Sequence, residues 1–189
     1  MILEGIITTV NEDGSTNISP MGPIVDGETF DRFTLRPFNT STTYRNLKRV
    51  DRGVLHVTDD VLLLAKAAIG PIDPPPDVEV LSPSLHVLRD CCHWFAFTVE
   101  SIDDDTDRTT IECTVQNRGR VRDFFGFNRA KHAVLEAAIL ATRLHLIPEQ
   151  EIRSQLKTLS ALVDKTAGAS ERQAFDLLQA HAEAYWKAS

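Results

Sequence analysis

The stretch Glu4–Val25, "EGIITTVNEDGSTNISPMGPIV", contains two β-rich runs separated by "NEDG". Leu3–Val10 and Ser15–Val25 read as strands and the Asp13–Gly14 pair is a reverse-turn signal, so a hairpin is predicted. Its second strand carries a proline. Pro20 has no N–H to give a neighbouring strand, which confines this run to a sheet edge or a bulge. An edge leaves backbone N–H and C=O groups free for a flat heteroaromatic ligand. A bulge near a turn accounts equally well for Asn17, Ser19 and Pro20.

Outward from this hairpin the β pattern continues. A third run, Glu28–Arg36, follows a turn at Asp26–Gly27, and Gly53–Thr58 is another short strand. Cys91–Ile102 and Arg108–Asn117 form a long hairpin with Phe95, Phe97 and Val99 on one face and Cys92, Trp94 and Ala96 on the other, both covered. Between the strands, "STTYRNLKRV" is a short helix capped by Ser41 or Thr42. Asp59 or Asp60 caps "DVLLLAKAAIG", which Gly70 and Pro71 end. The run "PIDPPPD" (71–77) is an extended loop.

From Asn128 the apolar period changes from two to 3.6. Ala130, Ala133, Val134, Ala137, Ala138, Ala141 and Leu144 make one seam. Pro148 opens a second helix with Ile152, Leu156, Leu159 and Val163 on one face, and Gly168 ends it. The capping box "SERQ", Ser170–Gln173, starts a third with Ala174, Leu178, His181, Ala182 and Tyr185 inward. The predicted organisation is α+β, with a β-rich body over 1–125 and a C-terminal three-helix segment over 126–189.

With 42% apolar and 25% charged residues in 189, the chain has the composition of a folded globular protein. Its net charge of -7 excludes general affinity for nucleic acid or an anionic membrane, so any anion must be recognised locally. The run "MILEGIITTV" has neither the basic flank nor the cleavage site of a signal peptide, and no apolar stretch reaches the length of a membrane span; a cytoplasmic location is expected. Cys91, Cys92 and Cys113 fit neither a disulfide framework nor a zinc pair and read as reduced thiols packed in strands. No metal site is expected. Cys91, Cys92 and His93 point to alternating faces, and Asp103, Asp104, Asp105 and Asp107 lack the glycine and distant glutamate of a calcium loop. His132 and Glu136 read as an ordinary surface pair.

One local anion site stands out. Residues 36–52 hold Arg36, Arg45, Lys48, Arg49 and Arg52 against Asp51, a net +4 within an acidic chain. Thr40, Ser41, Thr42 and Thr43 lie at the mouth of the predicted helix, where unpaired N–H groups and the positive dipole end favour an anion. Two readings stand: the hydroxyls and Arg36 surround a phosphate, or they cap a helix whose basic side is solvated.

Taken in order, "EGIITTVNEDGSTNISPMGPIV", "FTLRPFNTSTTYRNLKRVDRGVLHVTDD" and "FNRAKHAVLEAAILATRL" resemble the domain of unknown function family number 447. Its members are similar to FMN-binding split β-barrels, relatives of the flavin reductases. In the wider flavin-reductase group a threonine is followed three residues later by asparagine, and Thr43 and Asn46 have that spacing here. The resemblance implies FMN as cofactor. Asn17, Ile18, Ser19, Pro20 and Met21 would line the isoalloxazine edge; Arg36, Ser41, Thr42, Thr43 and Asn46 would hold the ribityl phosphate. It also implies a homodimer with FMN at the subunit interface, and Asn128 either approaches the flavin or simply caps a helix. His56 departs from the family pattern, which has asparagine there. The implied activity is an oxidoreductase passing hydride or electrons between FMN and an unidentified small partner, with no catalytic residue assigned. A non-catalytic module for flavin or another phosphorylated ligand, and a ligand-free homodimeric interaction protein, are the alternatives.

Overall fold

The computed structural model describes the chain except Asp26, Glu28 and Ser189, so the expected turn at Asp26–Gly27 and the start of a strand at Glu28 lie outside the described residues. The opening hairpin is present: β1 (Gly5–Val10) pairs antiparallel with β2 (Thr16–Met21). Gly14 has a φ of 83°, the left-handed backbone that glycine adopts without strain, and its N–H donates to Asn11 O at 3.0 Å. β3 (Ile24–Val25) and β4 (Arg32–Leu35) follow, then α1 (Thr42–Val50), β5 (Arg52–Val57) and α2 (Val61–Ile69). After them come β6 (Val78–Ser82), β7 (Leu85–Leu88), β8 (His93–Asp103), β9 (Thr110–Arg120), α3 (Arg129–Ala141), α4 (Glu149–Thr166) and α5 (Ala169–Ala188).

Seven strands form one sheet in the order β2-β1-β5-β8-β9-β4-β3. β2 is its edge, with Pro20 opposite Ile6, so the missing N–H of the proline breaks no ladder. β3, the other edge, is joined to β2 by Gly22–Pro23, and residues just ahead of β1 pair with it: Leu3 N–H donates to Pro23 O at 3.1 Å and Val25 N–H to Met1 O at 2.8 Å. The sheet therefore curls until its edges meet at one end, a split β-barrel. Ile7, Phe33, Leu35, Leu47, Leu55, Phe95, Phe97 and Ile111 fill its interior.

The first compact unit comprises residues 1–58 and 75–124. Outside its sheet lies the β6–β7 hairpin, which the sequence reading missed. It is held by Thr8 Oγ1 donating to His86 O at 2.5 Å and by a 2.7 Å bond between Thr16 Oγ1 and His86 Nδ1. Val54, Val87 and Ala96 form a small apolar layer there, with Trp94 packed against it. Gly119 faces Trp94 across the β8–β9 pair, and a Cβ at 119 would lie 2.4 Å from the indole. Gly119→Ala is expected to lower stability by about 1–3 kcal/mol through overpacking, measured by urea denaturation alongside a shift in tryptophan emission.

The second unit comprises residues 59–74 and 125–188, four helices with α2 among them. Asp60 caps α2, its carboxylate accepting Leu63 N–H at 3.0 Å. The alanine seam of α3 is buried as expected. Two details of α5 differ. Its start is two residues earlier than "SERQ" implies: Glu171 accepts the N–H of Gly168 at 2.9 Å, so Ser170 lies inside the helix. Tyr185 is exposed, and Phe175 supplies the inward aromatic. Cys91 and Cys92 sit just ahead of β8 and Cys113 within β9; all are free and buried.

Candidate functional site

The hairpin register places Asn17 opposite Thr9, and that pairing organises the site. Asn17 Nδ2 donates to Thr9 Oγ1 at 3.1 Å and to Thr43 Oγ1 at 3.0 Å. Asn46 Nδ2 donates to the same Thr9 hydroxyl at 3.0 Å and to Asn11 Oδ1 at 2.9 Å. This network stitches the start of α1 onto β1 and β2. Thr43, 1% exposed, and Asn46 face inward, one helical turn apart on the side of α1 that also buries Leu47. Thr9 and Asn11 were not among the predicted residues. The hairpin itself was signalled by Asp13–Gly14, but the register was not: a two-residue turn at 13–14 would set Thr9 against Ile18, whereas the loop spans 12–14 and sets it against Asn17.

At the mouth of α1, Ser41 is the N-cap and its hydroxyl accepts Tyr44 N–H at 3.2 Å. Thr42 Oγ1 accepts from Arg45 Nη2 at 3.0 Å, while Arg45 Nη1 reaches Thr40 O at 2.7 Å. The first turn holds no acidic residue, so no carboxylate of its own occupies the positive end.

The basic cluster is less free than its composition implies. Lys48 Nζ donates to Asp104 Oδ2 at 2.6 Å and to Tyr44 OH at 2.9 Å, and Tyr44 donates to the same carboxylate. Those hydrogen bonds raise the Lys48 ammonium pKa and lower that of Asp104. Arg49 donates to Val10 O, and Arg52 pairs with Asp51 at 3.6 Å. Arg36, exposed beyond the end of β4, has no hydrogen bond or ion pair among the described residues.

On β2, Asn17, Ile18, Ser19, Pro20 and Met21 are all half-buried, and among the described residues no strand pairs with their outer side. Asn128 belongs to the helical unit. Its Oδ1 caps α3 by accepting from Ala130 N–H at 2.8 Å and Lys131 N–H at 3.2 Å, and its Nδ2 donates to Thr166 O at 2.9 Å. Burial pushes the Cys91 thiol up to about 11 and raises Cys113 as well, which removes both as nucleophiles near neutrality. Among the described residues no group of His, Cys, Asp and Glu could hold a metal, and no helix is long and apolar enough to cross a membrane.

The structure is similar to that of an FMN-bound protein from Methanosarcina mazei, with a TM-score of 0.82 and 24% identity over 95% of this chain and 94% of that one. It is also similar to the styrene monooxygenase flavin reductase of Pseudomonas putida S12, with a TM-score of 0.54 and 15% identity over 64% of this chain and 80% of that one. A flavin reductase, HpaC, complexed with NADP+ has a TM-score of 0.54 and 16% identity, covering 66% of this chain and 83% of that one. No curated protein matches the sequence. One family model, "Protein of unknown function (DUF447) N-terminal domain", matches residues 3–122, and a second, "Protein of unknown function (DUF447)", matches 128–180. Matched over most of its length by both models, the chain belongs to this family, DUF447.

Proposed function

We propose that the protein is an FMN-binding flavoprotein and an oxidoreductase, passing hydride or electrons between its flavin and a small redox partner as a cytoplasmic homodimer. The observation that carries this reading is the Asn17–Thr9–Asn46–Thr43 network, which joins an open sheet edge to an acid-free helix mouth. In this reading the N–H groups at the start of α1, the Ser41 and Thr42 hydroxyls and the Arg36 guanidinium hold the phosphate. Thr43 and Asn46 act from beneath, fixing α1 on the barrel. Asn17, Ser19 and the open backbone of β2 face the polar edge of the isoalloxazine, with Ile18, Pro20 and Met21 as its apolar surroundings. FMN, when bound, supplies the redox chemistry; this chain orients it and places positive charge beside it. The FMN-bound relative from the same family supports the choice of ligand.

Arg36→Gln separates phosphate recognition from ring recognition. FMN affinity is expected to fall by about 1.5–3 kcal/mol, roughly tenfold to a hundredfold, while riboflavin affinity stays unchanged. Equal losses for the two flavins, or none for either, would refute the phosphate assignment. For the redox role, anaerobic NADH or NADPH is expected to bleach the visible absorbance of the bound flavin. A holoprotein that stays yellow with both speaks for a carrier. Sizing the holoprotein tests the dimer.

A further inference from the structure

Ser19, Ile7, Leu55, Phe95 and Arg118 form one cross-strand row, running from the open edge β2 through β1, β5 and β8 to β9. Residues directly opposite across antiparallel strands share a face, so Ser19 and Phe95 lie on the same face of the sheet, three strands apart. Phe30, in the connection between β3 and β4, stacks on Phe95 with centroids 4.6 Å apart and planes within 10°. Its backbone is left-handed, with φ 54°, a conformation that a bulky L-residue adopts only under strain.

Arg118 holds that conformation from both sides, donating to Thr29 O at 3.2 Å and to Asp31 Oδ1 at 2.5 Å. Its guanidinium carbon lies 5.8 Å from the Phe95 ring centroid. Met21, the last residue of β2, packs against the same apolar cluster as Phe30. The row of Ser19 lies two residues along β2 from Asn17, roughly 7 Å, a span that a ribityl chain bridges. A glycine would suit the backbone at position 30, yet an aromatic ring is clamped there. Strain retained against the easier residue points to a use for the side chain.

We propose that Phe30, backed by Phe95, is a positioning residue that packs against the flavin ring; this rests on the FMN reading above. The test titrates FMN and riboflavin into apoprotein carrying Phe30→Leu, Phe30→Tyr or Arg36→Gln, with thermal melting of each apoprotein. Phe30→Leu is expected to weaken FMN and riboflavin by the same factor, roughly two- to tenfold, and Phe30→Tyr to restore both to within about twofold of the parent. Unchanged binding in Phe30→Leu, a loss confined to FMN, or a Tyr variant as weak as the Leu variant overturns the assignment. If Phe30→Leu leaves both flavins unaffected while Arg36→Gln still selects against FMN, only the ring assignment falls. If the parent protein binds neither flavin, the functional reading falls and takes this one with it.

Discussion

Lys131→Met is expected to lower the stability of the helical unit by about 1.5–3 kcal/mol, the worth of a hydrogen bond to a charged group out of water. Lys131 Nζ donates to the backbone oxygen of Asp59 at 2.7 Å and lies 3.2 Å from Asp59 Oδ2. Glu171 Oε1 is 3.8 Å away. The pair is largely out of water, since the side chain of Asp59 is 4% exposed and that of Lys131 18%. Asp59 Oδ2 also accepts the N–H of Phe125, so one carboxylate joins the approach to α2, the first turn of α3 and the segment leading into α3. Methionine keeps the length and apolar stem of lysine but removes the ammonium, leaving a buried carboxylate without that cation. The double variant Lys131→Met, Asp59→Asn removes both charges of the pair and keeps an acceptor for Phe125, so part of the loss is expected to be recovered. Urea midpoints at constant slope measure both. A double variant as unstable as the single one would show that the loss comes from packing rather than from the loss of the ammonium beside Asp59.

Much of the barrel was legible because its signals are local. Asp13–Gly14 demanded a turn and Pro20 an edge or a bulge; the register that sets Thr9 against Asn17 depends on the three-residue loop 12–14 and was not legible. The β6–β7 hairpin was not legible. Glu79, Val80 and Leu81 are all exposed, so β6 shows no alternation, and β7 is buried at three successive residues because it covers the outside of another sheet. The tail of α5 was misread for a similar reason: apolar spacing alone cannot tell which of Phe175 and Tyr185 meets a neighbour.

At the site, the sequence brought the right residue types together but could not apportion them. Five cations near α1 read as one positive patch. In the fold, Lys48 is drawn to Asp104 from the distant β8–β9 turn, Arg45 spans Thr40 and Thr42, and Arg49 caps the end of β1. Those partners lie in other elements, or depend on backbone direction, and neither is visible in a linear pattern. The same limit explains Thr43 and Asn46. Their spacing marks one helical face, but which face meets the barrel is decided by where Thr9 and Asn17 already are.

Acidification from pH 7.5 to 5 is expected to destabilise the first unit by about 2 kcal/mol through His56 alone, and by about 3 kcal/mol once the histidine is fully titrated. His56 is 0% exposed. The N–H of Leu88 donates to its Nε2 at 3.1 Å, which makes that nitrogen an acceptor and puts the ring proton on Nδ1, 3.2 Å from Ile6 O. Both ring nitrogens are thus satisfied in the neutral form, and the ring ties β5 to β1 and β7. Burial holds its pKa at about 4, against 6.5 in the ordinary case, with the Ile6 carbonyl opposing that drop. Between those values the unfolded chain binds a proton that the folded chain refuses, so the stabilisation is whole above pH 6.5 and is lost as pH falls toward 4. His86 adds in the same direction, because burial lowers its pKa too. His56→Asn keeps a donor and an acceptor but cannot titrate, so its stability should fall less steeply across this window. Urea midpoints taken from pH 7.5 to 4.5 for both proteins decide the matter: parallel curves would mean that His56 is not the group being charged.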